Sequence, residues 1–425
     1  MEKNKIITQA PIQVREDTLH KHERFLSLLT AEAINHINEL LTGKDRKRID
    51  IWNVYNSKQN RGYKSETERQ KDITKLIDAR YELLTREYHI ESANRIILRD
   101  DAIDYQNIIK NTIRDLMNQG IFNVKKAVFH ICKKCGYIVA PIEASITLCP
   151  MCNHNELGNI EKTGMFMNFD KNIITDFSMK NFNVLSKEGN NRVKTTMLTM
   201  PTTIQLSKNR EFGLKLNEFG VDDDFVLDPK ISVALAGKVI REMGLGEIDL
   251  MIQGFDTVKN NVPFSLLLDS ISDTKFLTIG TVPSFSTSEI ERYGSTFYFP
   301  FLSLLVASKN GKITEHELQQ LQNEFIKTQK KLENCIIILN NLSMRYEEEI
   351  NIPEFDNEIK LFLTEFNQMI TDYRFKQALE SLRSFIYDTL SRQYIKKCKL
   401  QKKKPNMSFF AYIQSILNSI YRSKY

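Results

Sequence analysis

Residues 130–152 read HICKKCGYIVAPIEASITLCPMC and contain two Cys-x-x-Cys pairs, Cys132/Cys135 and Cys149/Cys152. Each pair forms a tight turn that lets two thiolates reach one ion, and four sulfurs complete a tetrahedral Zn²⁺ shell at about 2.3 Å. Because four protein ligands leave no open coordination position, we predict a structural zinc site rather than a catalytic one.

The other cysteines and the nearby histidines have simpler interpretations. His130 and His154 flank the pairs and are candidate replacement ligands, but we favour positions outside the ligand shell. Cys335 and Cys398 stand alone in helical stretches and are interpreted as packing residues. Paired cysteines of this kind suit metal binding in a reducing compartment, so we predict a cytoplasmic protein without a disulfide framework.

Length and composition indicate a multidomain globular chain. The 425 residues exceed the size at which one core usually stops growing, so we expect two to four domains. A hydrophobic content of 41% and a charged content of 26% are ordinary for globular proteins and argue against extensive disorder. The longest nearly apolar run, residues 297–307, is much shorter than the roughly 20 residues that span a bilayer, so no membrane segment is expected.

Positive charge is concentrated at the C-terminus, although the net charge is only +6. From Thr389 to Tyr425 there are nine basic residues and no acidic one. Aromatic residues are interleaved with this charge, a pattern that favours a phosphate-rich partner through counterion release. The alternative is a solvated basic tail. The candidate RNA-binding residues are Arg392, Lys396, Lys397, Lys399, Lys402, Lys403 and Lys404.

Hydrophobic periodicity predicts an α/β region followed by helices. A strand at 6–10, an amphipathic helix of about 20 residues and a strand at 49–55 form a βαβ pattern. Further helices are predicted at 66–86, 105–118, 230–243 and 263–271, further strands at 248–253 and 275–282, and helices throughout from Thr314.

In this order, the motifs resemble class I aminoacyl-tRNA synthetases of the methionine, isoleucine, leucine and valine group. No single segment is decisive, but the succession extends over nearly the whole chain. The segments that carry the resemblance are Ile7 to Pro11 followed by His20-Lys21-His22, the cysteine pairs, Thr203 to Gly213 with Val226-Leu227-Asp228, Gln253-Gly254-Phe255-Asp256, Ser288 to Gly294, and Asp372 to Ile395.

The resemblance implies a Rossmann-like class I catalytic domain that is interrupted by a zinc-binding insertion and followed by an all-α, anticodon-binding-like bundle. The implied boundaries place the two Rossmann halves at 1–120 and 201–308, the insertion at 121–200, and the helical domain with the basic C-terminus at 309–425. The insertion is too short for the large editing domain of the isoleucine, leucine and valine enzymes.

The resemblance also implies roles for particular residues. His20 and His22 are expected to contact phosphate, Gly254 and Asp256 the nucleotide ribose, and Lys208 and Arg210 the nucleotide. The residues themselves leave alternatives open. Asp256 and Asp228 also suit loop caps after a strand, and Arg210 also suits a surface ion pair.

Both signature motifs of the group are altered. Lys21 and His22 occupy the x-Gly positions of the His-x-Gly-His signature, and Glu23 falls where its second histidine belongs. The second signature supplies a lysine to the leaving pyrophosphate, but residues 279–288 contain no lysine. Loss of one such charge-stabilising donor typically lowers the rate by about 10² to 10³.

Three hypotheses follow from these features. The first is a synthetase paralogue that binds tRNA or a related RNA with weak or no amino-acid adenylation. The second is a divergent but active ligase that uses ATP to load an amino acid onto tRNA or another carrier. The third is a zinc-stabilised protein-interaction module.

Overall fold

The computed structural model describes residues 5–9, 12–13, 47–55, 65–88, 95–142, 146–168, 172, 182–255, 257–268, 273–279, 314–350, 352–406 and 411. The chain divides into two compact units. The α/β unit comprises Met1–Leu19, Ile49–Arg80 and Arg95–Thr278, and the helical unit comprises His20–Arg48, Tyr81–Asn94 and Ile279–Tyr425. The four-domain division of the sequence stays a prediction.

Strands and helices alternate along the first part of the chain. In order, they are β1 Lys5–Gln9, β2 Ile12–Gln13, β3 Lys47–Asn53, α1 Glu66–Tyr88, β4 Arg95–Arg99, α2 Ile103–Asn118, β5 Phe122–Cys132, β6 Ile138–Pro141, β7 Leu157–Asn168, α3 Lys187–Thr199, β8 Thr203–Gln205, β9 Ser207–Lys208, β10 Val226–Leu227, α4 Pro229–Ala234, α5 Ala236–Glu242, β11 Glu247–Gly254, α6 Val258–Leu267 and β12 Lys275–Ile279.

The central sheet has the strand order β12-β11-β1-β3-β2, and β4 also pairs with β3. β1 is parallel to β11, with Gln9 opposite Ile252, and β2 is parallel to β3, with Ile12 opposite Trp52. β3 is buried on both faces from Arg48 to Asn53, as expected for a strand in a sheet covered by helices. The predicted strand-helix alternation therefore produces a doubly covered, largely parallel sheet.

A separate antiparallel sheet of order β6-β5-β7-β8 carries the cysteine pairs. β5 and β7 pair over their whole length, from Phe122 opposite Met167 to Cys132 opposite Leu157. This long ladder ends at Cys132, so the first cysteine is held at the tip of a rigid hairpin-like arm.

Two predicted helices differ from the observed ones. The helix expected at 230–243 is divided into α4 and α5, because Leu235 adopts φ −89° and ψ 2°, outside regular helical geometry. The helix expected from Pro263 begins earlier, at Val258, and contains Pro263 in its interior. The first turn of this helix forms upstream of Pro263, at Val258.

The helical unit contains α7 Glu315–Arg345, α8 Pro353–Thr371, α9 Phe375–Ser384, a π-helical stretch Phe385–Tyr394, and α10 Ile395–Gln401. Thr314 caps α7 reciprocally with Glu317, since each side chain accepts a hydrogen bond from the other residue's backbone N–H. Phe362 of α8 stacks on Phe385 with ring centroids 4.1 Å apart. The helices predicted after Thr314 are thus present in this region.

Candidate functional site

The sulfurs of Cys132, Cys135, Cys149 and Cys152 form one cluster, here called the cysteine knuckle. All four ligand atoms lie within 4.8 Å of one another. The distances are 3.6 Å for Cys132–Cys152, 3.7 Å for Cys135–Cys149 and 3.6 Å for Cys135–Cys152. A regular tetrahedron with Zn–S bonds of about 2.3 Å has edges of about 3.8 Å. These residues are therefore placed so that they could hold a zinc ion.

Two turns of the same design build the knuckle. The N–H of Gly136 donates to the carbonyl of Cys132, and the N–H of Asn153 donates to the carbonyl of Cys149, both at 2.9 Å. Gly136 and Asn153 have positive φ, 70° and 54°, and Gly and Asn tolerate this left-handed conformation best. The chain thus reverses after each Cys-x-x-Cys pair, and both thiols of each pair face inward.

The electrostatics of the cluster favour a thiolate at Cys132, whereas hydrogen bonds with neighbouring thiols help to raise the pKa of Cys135 and to raise that of Cys152 to about 12. Burial acts to raise the pKa of Cys132, but hydrogen bonds from the backbone of Cys135 and Lys134 and from the neighbouring thiols lower it to about 7. Among the described residues, the only group of side chains placed to hold a metal ion consists of the four cysteines. His130 and His154 lie outside this group, as we favoured. Cys335 and Cys398 are buried, as expected of packing residues.

A second candidate site lies where the strands of the central sheet end. At the end of β1, Gln9 pairs with Ile252 of β11. Just beyond it, Ile12 of β2 pairs with Trp52 of β3, so the ends of β11 and β3 lie on either side of the chain here. The strand order changes direction at β1, and α/β sheets bind ligands outside the carboxyl ends of strands at such a point. We call this region, with Val54–Tyr55 and Gln253–Gly254, the strand-end site.

Side chains from distant segments fix Val54–Tyr55 in this site. Oδ1 of the buried Asp100 accepts hydrogen bonds from the N–H of Val54 at 2.6 Å and of Tyr55 at 3.4 Å. Arg210 donates to the carbonyl of Tyr55 at 3.1 Å. Burial, then the neighbouring Asp101, raises the pKa of Asp100 to about 8, despite the opposing backbone hydrogen bonds. The structure therefore places the predicted Arg210 at the end of β3, bonded to backbone.

Lys208 and Asp228 form a partly exposed ion pair with 3.8 Å between Nζ and Oδ2. Burial lowers the pKa of Lys208, with contributions from Lys230 and Arg210, and Asp228 opposes the change. Asp228 also accepts a hydrogen bond from the N–H of Lys230 at 3.0 Å and caps α4. The capping interpretation of Asp228 is thus confirmed.

The sequence did not reveal a charged and aromatic network beside Tyr55. The buried guanidinium of Arg69 lies over the rings of Tyr55 and Phe212, with centroid distances of 5.1 and 5.4 Å. It pairs with Asp101 at 3.2 Å, and Arg99 makes a two-pronged contact with the same carboxylate at 2.8 and 2.9 Å. Only the adjacent acids Asp100 and Asp101, after β4, could have indicated this network from the sequence, because its other members are far apart along the chain.

Three predicted site residues, His20, His22 and Asp256, lie outside the described residues. Gly254 ends β11 and belongs to the strand-end site, and its carbonyl accepts hydrogen bonds from Thr257 at 2.9 Å from N–H and 2.8 Å from Oγ1. The described part of the structure thus places Gly254 at the end of β11 and Arg210 at the end of β3, the two strands on either side of β1.

The basic candidates of the helical unit differ in their surroundings. Lys397 lies over the Phe355 ring at 5.2 Å, Lys403 pairs with Glu348 at 3.2 Å, and Lys404 is half-buried. Arg392 is exposed and pairs with Asp388 at 2.8 Å. The remaining candidates are exposed and form no ion pair with another described residue; they are Lys396, Lys399 and Lys402.

Comparisons with known proteins bear on the fold. No family model matches the chain, and no curated protein matches it. Solved structures of methionyl-tRNA synthetase from Mycobacterium tuberculosis are similar: two bound to methionyl-adenylate, with TM-scores of 0.64 and 0.67, and one in the free state, with 0.66. Each is 11% identical in sequence, and the matches cover 99% of this chain and 90 to 92% of theirs.

At this level of identity the likeness concerns the fold. The chain has a mixed α/β fold similar to that of a class I aminoacyl-tRNA synthetase, which confirms this part of the prediction. Within the described residues, no helix combines the length and apolar character needed to cross a membrane.

Proposed function

We propose that this protein is a class I synthetase paralogue that binds tRNA or a related RNA and adenylates amino acids weakly or not at all. The observation that carries the proposal is the set of exposed lysines in a chain whose fold is similar to methionyl-tRNA synthetase over nearly its whole length. The altered signatures at residues 20–23 and 279–288 support the second part, because each has lost groups that stabilise phosphate charge.

The lysines have the arrangement that phosphate binding requires. Arg392, Lys396 and Lys399 recur at four- and three-residue spacings along one continuous helical segment, which brings them to one side. Lys402 follows at the C-terminal end of α10. Exposed cations in a row match the regular spacing of backbone phosphates and attract them over several ångströms.

Nitrocellulose filter binding of bulk tRNA between about 50 and 200 mM salt tests RNA binding. We expect affinity to fall steeply with salt, and the Lys396→Glu/Lys399→Glu variant to bind at least about 10-fold more weakly, with a salt slope reduced by about 2. The matched control is Lys71→Glu/Lys75→Glu, which changes charge equally at two exposed lysines of α1. Equal losses in the two variants, or an affinity indifferent to salt, would contradict the proposal.

In this proposal the cysteine knuckle holds a structural Zn²⁺, which supplies cross-linking rather than chemistry. The zinc-bearing segment corresponds to the insertion at 121–200, between Rossmann halves at 1–120 and 201–308, and the helices after 309 serve as the anticodon-binding-like bundle. The protein acts in the cytoplasm.

An active ligase is the second candidate, and two described groups at or near the strand-end site favour it. Gly254 still ends β11 at the switch point, and the Lys208 ammonium remains partly exposed beside Asp228. ATP and an amino acid are then ligands, His20 and His22 contact phosphate, and Asp256 contacts ribose. Amino-acid-dependent exchange of pyrophosphate into ATP across all twenty amino acids separates the two functions: activity that His20→Ala abolishes supports the ligase, and silence at high enzyme concentration rejects it.

A further inference from the structure

Gln253 is a fully buried amide at the end of β11. Its Oε1 accepts a hydrogen bond from Nδ2 of Asn261 at 3.4 Å. Its Nε2 is also buried, and no described residue accepts a hydrogen bond from it. Burying a donor without an acceptor is destabilising, and such groups are rare in folded proteins. Among the described residues, Nε2 of Gln253 is therefore a buried donor without an acceptor.

The surroundings of Gln253 favour an oxygen acceptor. Asn261 lies in the first turn of α6, a ten-residue helix whose N-terminus follows the end of β11. Helix N-termini present unpaired N–H groups and a partial positive charge. The guanidinium of Arg192 donates to the carbonyl of Phe255 at 3.3 Å and lies over its ring at 4.6 Å, which adds a cation to the same turn.

Gln253 lies beside the place in the topology of α/β sheets where ligands bind. It precedes Gly254 in the strand-end site, one residue beyond Ile252, which pairs with Gln9 of β1. Ligands of α/β sheets bind outside the carboxyl ends of the strands at this place in the topology. A buried donor without a protein acceptor, a helix N-terminus and a switch point thus coincide.

We infer that Gln253 and Asn261 form a polar specificity subsite, which takes an amino acid whose side chain ends in a carboxamide or carboxylate oxygen. The inference rests on the second candidate function, in which an amino acid is a ligand of the strand-end site. Nε2 of Gln253 donates to the ligand oxygen. An apolar side chain of equal length, such as that of methionine, leaves this donor unpaired and is therefore discriminated against.

The test compares a polar side chain with the apolar side chain of methionine, both in the protein at position 253 and in the amino-acid ligand. L-glutamine, L-glutamate and L-methionine are titrated calorimetrically into the full-length protein and into its Gln253→Met variant, since Gln and Met have similar shapes. The wild-type protein should bind glutamine or glutamate at least about 10-fold more tightly than methionine, and the variant should lose or reverse this preference. Comparison of glutamine with glutamate shows whether the subsite prefers a carboxamide or a carboxylate oxygen.

Stability of the ligand-free protein gives an independent readout. Gln253→Met removes an unpaired buried donor, but it also removes the acceptor of the 3.4 Å hydrogen bond from the partly exposed Asn261, so it should melt no more than about 4 °C below wild type. Ser265→Ala, a buried polar-to-apolar change on the same helix, serves as a control that should keep the wild-type ligand preference. A decrease of more than about 4 °C in Gln253→Met exceeds what the loss of the Asn261 hydrogen bond allows; it would indicate that Nε2 is satisfied within the protein and would overturn the inference.

Three other outcomes would also overturn it: equal affinity for the three amino acids, an unchanged preference in Gln253→Met, or no binding of any of them at 10 mM, which is about ten times the upper end of typical Michaelis constants. RNA binding is measured in parallel on the same variant and should not change. If the wild-type protein does not bind RNA, the proposed tRNA partner is rejected but the amino-acid result still stands. Failure of the proposed function and failure of the inference can therefore be told apart.

Discussion

The cysteine knuckle and the strand-end site lie in the same α/β unit, but they are assembled over very different distances along the chain. The knuckle takes its four sulfurs from 21 consecutive residues, Cys132 to Cys152, and two backbone turns orient them. The strand-end site takes its groups from β1, β3 and β11, and Asp100 and Arg210 hold its backbone.

The two sites also satisfy their polar groups differently. Each knuckle sulfur has three like partners at metal-binding distance, so a single ion completes the set. In the strand-end site, buried groups such as Asp100 and Gln253 keep one polar atom each without an acceptor or donor among the described residues. The first region is therefore built for stability, and the second retains the unsatisfied groups that binding sites use.

The largest effect is expected from breaking the knuckle. Cys149→Ser removes a buried ligand, so the zinc content should fall from one ion per chain to almost none, and the melting temperature should drop by about 10 °C or more. Metal analysis by mass spectrometry and thermal unfolding measure the two effects. Cys398→Ser, which alters a buried thiol of the helical unit, should leave the zinc content unchanged. Full zinc content in Cys149→Ser would refute a four-cysteine site.

An intermediate effect is expected from Asp100 in the strand-end site. Its folded pKa of about 8 lies above the ordinary value of 3.8, so between these pH values the folded protein binds a proton that the unfolded chain releases. Stability should therefore fall as pH rises from about 4 through 8, by about 4 kcal/mol between pH 5 and 8 from this group, and then level off.

The Asp100→Asn variant keeps an acceptor for Val54 and Tyr55 but cannot ionise, so it should lack this component of the pH dependence. Urea unfolding at pH 5.5, 7 and 8.5 compares the two proteins, and the advantage of the variant should grow with pH. Parallel stability curves would show that Asp100 is ionised in the folded state at neutral pH.

The smallest change in the free energy of unfolding is expected from replacing two glycines with alanine, Gly189 in α3 and Gly158 in β7. A Cβ at Gly189, in the first turn of α3, would lie 2.5 Å from Oγ of Ser186 and 3.0 Å from Cγ2 of Thr278. Gly189→Ala should cost about 1–2 kcal/mol, because overpacking and loss of the Ser186 cap exceed the gain in helix propensity of roughly 1 kcal/mol.

Gly158, in β7 next to the knuckle, provides the comparison, since a Cβ there would meet its nearest neighbour, Ile131, at an ordinary 3.5 Å. Gly158→Ala should change the free energy of unfolding by less than about 0.5 kcal/mol. Chemical denaturation of both variants measures the difference, and equal costs would contradict the contact geometry around Ser186.

The contrast also explains what the sequence could predict. The knuckle could be predicted residue by residue, because Cys-x-x-Cys spacing determines a local turn. The strands β1, β3 and β11 could be predicted from short apolar runs, but their pairing could not, since register depends on contacts between distant segments. The same limit hid the Arg69–Asp101 pair and the unpaired amide of Gln253. Local sequence also misled at Pro263, where packing allowed a helix to start earlier.

The pairing of β1 with β11 has a consequence for the order in which the chain acquires its structure. Lys5 and Glu247 are partners across more than half of the chain, so this ladder forms only after a very large loop has closed. The hairpin-like arm that ends at Cys132 needs no such closure, and contacts that are near in sequence form faster. During synthesis, β1 leaves the ribosome long before β11 exists, so the edge of β1 that pairs with β11 stays open to aggregation until late in folding.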